Sequence, residues 1–74
     1  MLINIADEIY IEGRGKILVV YQEHNPDITN LVELLHQNIE LPDGRKFLVR
    51  AVEHFKCWHD CVPKNVGLVV REIS

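Results

Sequence analysis

Seventy-four residues, 47% of them hydrophobic and 26% charged, describe one folded domain, too short to hold a second site-bearing unit and too apolar to stay disordered. Eleven acidic residues stand against eight basic ones, with four histidines and no basic stripe, which argues against binding duplex DNA or RNA through its phosphates. The start of the chain, Met1 to Glu8, carries two acids and neither a basic stretch nor a long apolar run. A signal peptide and a membrane anchor are therefore not expected, and the chain is assigned to the cytoplasm.

In chain order, an apolar alternation through Ile9 and Ile11 runs into Gly13-Arg14-Gly15, and the β-branched run Ile17-Leu18-Val19-Val20 leaves it. Two glycines that tolerate positive φ between two such runs predict a hairpin. Glu23-His24-Asn25-Pro26-Asp27 is a polar break, because proline cannot continue a paired central strand. Thr29 is placed to cap a short helix carrying Leu31, Leu34 and Leu35 on one face, of at most about two turns. An extended segment covering the end of the sheet is the alternative for this stretch.

Strand patterning returns at Ile39 and Leu41, Pro42-Asp43-Gly44 reads as a turn, and Phe47 to His54 reads as the outgoing strand of a second hairpin. Along that strand Phe47, Val49 and Ala51 are expected on one face, and Leu48, Arg50, Val52 and His54 on the other. Lys56 to Pro63 is a predicted loop, and Asn65 to Ile73 the last strand. No segment is long enough to form a helix that covers a sheet face. The sheet is thus expected to cover itself by curling, which predicts an all-β fold: one small closed antiparallel barrel over residues 1–74.

Three blocks, in order, resemble the second domain of elongation factor Tu and related translation GTPases. The first is Asp7-Glu8-Ile9-Tyr10-Ile11-Glu12-Gly13-Arg14-Gly15-Lys16-Ile17-Leu18-Val19, the second Val49-Arg50-Ala51-Val52-Glu53-His54-Phe55, and the third Asn65-Val66-Gly67-Leu68-Val69-Val70. The resemblance implies a Greek-key barrel of about six strands. It also implies a task, docking on a GTPase domain and holding the aminoacyl end of a transfer RNA. Carried across by position, Glu53 and Asn65 fall where that family contacts the aminoacylated end. Asp7 falls near the pocket, Ile9 replaces an aromatic wall, Lys56 falls at a basic position, and Arg14 occupies the tip of the two-glycine turn. A carboxylate and a side-chain amide suit an ammonium and an ester carbonyl. The chain departs from the family by adding apolar bulk over Asn30 to Gln37 and by shortening the loop after Phe55. Gly13-Arg14-Gly15-Lys16-Ile17 is not a phosphate-binding loop, since Tyr10 and Ile17 stand where a glycine and a Ser or Thr would be required.

The densest reactive group is His54-Phe55-Lys56-Cys57-Trp58-His59-Asp60-Cys61. In a reducing compartment Cys57 and Cys61 are expected as thiols or metal ligands rather than a disulfide. Zinc held by His54, Cys57, His59 and Cys61 is one reading, although four ligands within eight consecutive residues would strain the loop. The plainer reading has Phe55 and Trp58 capping the barrel while the thiols pack as small apolar groups. A thiol activated by His54 or His59 would need an oxyanion site and a cleft that nothing in the sequence supplies, so no enzyme activity is expected. The sequence therefore points to a non-catalytic binding module without a cofactor, which docks a protein or ribonucleoprotein partner. A zinc-binding or homo-oligomeric structural protein using the Cys57 to Cys61 loop is the alternative.

Overall fold

The computed structural model describes residues 1–54 and 65–73. Among the described residues five strands, against the expected six or so, form one sheet: β1 (Asp7–Ile11), β2 (Gly15–Tyr21), β3 (Asn38–Glu40), β4 (Lys46–His54) and β5 (Asn65–Ile73). Their order is β1-β2-β5-β4-β3, and every pairing is antiparallel. The last strand inserts between β2 and β4, so β2, β5, β4 and β3 stand in Greek-key order.

Both predicted hairpins form where the glycines allow them. Gly13 and Gly15 take φ of 86° and 93°, and the Arg14 N–H closes the turn on the Ile11 carbonyl at 3.0 Å. In the second hairpin Gly44 takes φ of 93°, and the Leu41 N–H donates to the Arg45 carbonyl at 2.8 Å.

Two local expectations are corrected. The leucine-rich stretch forms a 3-10 turn, Leu31–Leu34, whose cap is Asn30 rather than Thr29; the Asn30 side chain accepts from the Val32 N–H at 3.0 Å. Three residues per turn put Leu31 and Leu34 on the same side, where both are buried, and leave Leu35 exposed. On β4 the partners Val49↔Val70 and Ala51↔Val69 leave Arg50 as the extra residue of a bulge. Past it the alternation changes phase: Phe47 and Val49 lie in the core, then Val52 packs against the core in place of Ala51. The bulge keeps Arg50 in solvent without giving up an apolar position.

The core gathers the inner faces of the strands, with Leu18, Phe47, Val49, Val66 and Leu68 fully buried, and the leucines of the 3-10 turn against them. Among the described residues one polar side chain, Asn25, is buried with this layer. Asn25 accepts from the Asn4 N–H at 2.8 Å and donates to the Asn4 carbonyl at 2.9 Å and the Tyr21 carbonyl at 3.1 Å, so it ties the start of the chain to the end of β2.

Among the described residues the sheet is not closed into the expected barrel. Among those residues strands β1 and β3 are its two borders, and they share no ladder. Residues ahead of β1 do lie along β3, through a parallel bridge of Leu2 with Glu40, an Ile3 N–H to Glu40 carbonyl bond of 2.9 Å and a Glu40 N–H to Met1 carbonyl bond of 2.8 Å. The same stretch then enters β1 beside β2, so a single run of chain touches both borders.

Candidate binding face

The register fixes which sequence-predicted residues share a surface. Across the sheet, Asp7 opposes Val19, Val19 opposes Gly67, and Gly67 opposes Glu53. The next row on the same face is Ile9, Ile17, Val69 and Ala51, and Asn65 opposes Tyr21 on the other flank. Asp7, Ile9, Glu53 and Asn65 therefore all lie on the outer face, opposite the core. They are not all neighbours. Asp7 stands three strand spacings from Glu53, about 14 Å along the sheet, whereas Asn65 and Glu53 are diagonal neighbours across β4 and β5.

Arg14 reaches this group from the hairpin turn. Its guanidinium forms an ion pair with Glu53, and because β5 separates β2 from β4 the side chain must cross the outer face to do so. Both partners remain well exposed, at 50% and 37%, which leaves the pair a small contributor to stability and an accessible charged feature. Beneath this surface Gly67 makes room for Ile17: a Cβ at position 67 would lie 3.1 Å from Ile17 Cγ2.

Asn65 also borders a hollow of about 470 Å³ whose described lining is completed by Tyr21, Gln22 and Glu23. The Tyr21 ring lies 5.3 Å from that of His24. Gln22 donates through Nε2 to the carbonyls of Asn25, at 3.1 Å, and Ile28, while its buried Oε1 has no partner among the described residues. Tyr21 and Gln22 were not legible as site residues, since in sequence they only end a strand.

A second charged group lies on the inner side of the β1 border. Glu8 takes a bidentate pair from Arg45, at 2.7 and 2.9 Å, and a contact from Lys16 Nζ at 2.8 Å. Arg45 Nε holds Asp43 at 2.8 Å, and both cations sit over the Phe47 ring, Lys16 at 5.5 Å and Arg45 at 5.8 Å. The Arg45 hydrogen bonds, then that of Lys16, pull the Glu8 carboxyl from its ordinary 4.5 down to about 2. Asp43 is lowered as well, first by the Arg45 backbone N–H, and Glu8 and then Asp43 raise Arg45. Glu8 is thus ionised throughout the physiological range, which suits a clamp and not a proton donor.

Lys56, Cys57, His59 and Cys61 lie outside the described residues, as does the side chain of His54. Among the described residues no three His, Cys, Asp or Glu side chains converge as a metal site. Nor is any described helix long and apolar enough to cross a membrane. No family model, no curated protein and no solved structure matches this chain.

Proposed function

We propose that this domain is a non-catalytic cytoplasmic binding module of the translation-factor domain 2 kind, docking a protein or ribonucleoprotein partner on its outer face. The observation that carries the reading is the grouping of Glu53, Arg14 and Asn65 at one end of that face, beside the Tyr21 hollow. Those groups offer a carboxylate, a guanidinium, an amide and an aromatic ring, a set that suits an ammonium, a phosphate, an ester carbonyl and a base. The contact of residues 1–3 with β3 supports a barrel-like closure of the sheet, since the same run continues into β1.

The ion pair gives the proposal a specific sign. Arg14 occupies the carboxylate that a ligand ammonium would need, so ligand and guanidinium compete for Glu53. Titration of isotope-labelled protein with a short single-stranded RNA bearing an aminoacylated end tests this. Amide shifts are expected at Glu53, Asn65 and Tyr21, and weaker ones with the unacylated RNA. Glu53→Gln should weaken binding about tenfold, as loss of one charge-assisted hydrogen bond does, and Arg14→Ala should tighten it. Equal response to both RNAs, or affinity unmoved by Glu53→Gln, would overturn the reading.

A further inference from the structure

Strand β1 pairs with β2 on one side and, among the described residues, with no strand on the other. A border strand aims alternate N–H and C=O groups outward, and proteins shield such borders with charge, proline or a covering segment. The opposite border, β3, is shielded by residues 1–3. The β1 border instead carries Ile9, Tyr10 and Ile11 at 39%, 74% and 42% exposure. Near its start, the Asp7 carboxylate accepts from the Glu8 N–H at 2.8 Å, which occupies one backbone donor there.

This border is also a palindrome, Glu8-Ile9-Tyr10-Ile11-Glu12. We propose that β1 pairs antiparallel with β1 of a second copy of this chain, about a two-fold axis at Tyr10, so that the two sheets become continuous. That axis sets Ile9 of one copy opposite Ile11 of the other and the two Tyr10 rings side by side, so apolar meets apolar at every central position. Moving the axis to Ile9 would set Glu8 against Tyr10 and Asp7 against Ile11, facing carboxylates with apolar groups. The remaining pair, Glu8 with Glu12 of the second copy, would repel if bare. Glu8 is held between Lys16 and Arg45, and with Asp43 on Arg45 two cations balance two carboxylates, so the incoming Glu12 faces a neutralised cluster and not a bare carboxylate. Two strands this short bury less than a permanent dimer needs, so the association is a concentration-dependent equilibrium.

Sedimentation equilibrium of the full chain between about 1 μM and about 1 mM tests the pairing. A shift from monomer to dimer is expected, together with slower hydrogen exchange of the β1 amides as concentration rises. Tyr10→Lys and Ile11→Lys should each abolish both effects with the melting temperature unchanged. Leu2→Lys, at a side chain 62% exposed on the other border, should leave both in place. A monomer at every concentration, or a dimer that survives Tyr10→Lys, overturns the pairing. The outer-face titration reads Glu53 and Asn65 instead, so the two proposals fail separately.

Discussion

Strands β5 and β1 are both built around strand-favouring apolar residues, Val66, Val69 and Val70 in one and Ile9 to Ile11 in the other, yet they meet opposite fates. The five residues from Val66 to Val70 are all buried, while Ile9, Tyr10 and Ile11 remain exposed. The difference lies in position: β5 stands between β2 and β4, and among the described residues β1 has a strand neighbour on one side. What holds β1 is correspondingly different. It relies on its backbone ladder to β2, on the Glu8 clamp to Lys16 and Arg45, and on Asn25 gripping the chain just ahead of it. Hydrophobic character alone did not decide which strand became core.

That contrast predicts a graded series of responses. The largest belongs to β5: Leu68→Ala, at a fully buried site, should cost about 2–5 kcal/mol in urea unfolding. Ile9→Ala on β1 should cost far less. Equal losses would break the comparison, because they would mean that β1 is packed as tightly as β5. Next comes Asn25→Ala, which strands the Asn4 N–H and the carbonyls of Asn4 and Tyr21 and should cost about 1–3 kcal/mol. A loss near zero would show that the start of the chain is not anchored through this side chain.

The clamp should answer to pH and salt rather than to volume. Because the Glu8 carboxyl is depressed in the folded protein, its contribution is fully present above the ordinary value of 4.5 and is lost as pH falls toward about 2. The melting-temperature gap between the wild-type protein and Glu8→Gln should therefore be widest near neutrality and shrink through that acid window. Raising the salt should narrow it too. A gap independent of pH would assign the clamp a packing role. The smallest effect is expected at Tyr10→Ser, within about 0.5 kcal/mol in dilute solution, as for an exposed side chain.

Both hairpins were legible in the sequence because their turns depend on local chemistry. Gly13, Gly15 and Gly44 permit a backbone that other residues resist, and the flanking apolar runs leave little choice of partner. The β4 bulge was not legible, since the register shift at Arg50 is decided by the competition between β4 and β5 for the core. The cap at Asn30 instead of Thr29 is a miss of one residue, between two types that cap by the same bond. Within the candidate site, Glu53 and Asn65 were placed by resemblance, and the register brought them to one end of the outer face. Their link to Arg14 was invisible, because the two partners are far apart in the chain and meet only when β5 has come between β2 and β4.

The amino-acid sequence by itself determined where the chain reverses and which segments extend, because glycine φ and β-branched runs act over a few neighbouring residues. The tertiary structure decided the strand order, the bulge, the place of β1 at the end of that order and the Arg14–Glu53 pair. These depend on which long-range ladder buries the most apolar surface, and that choice is made by the whole chain at once.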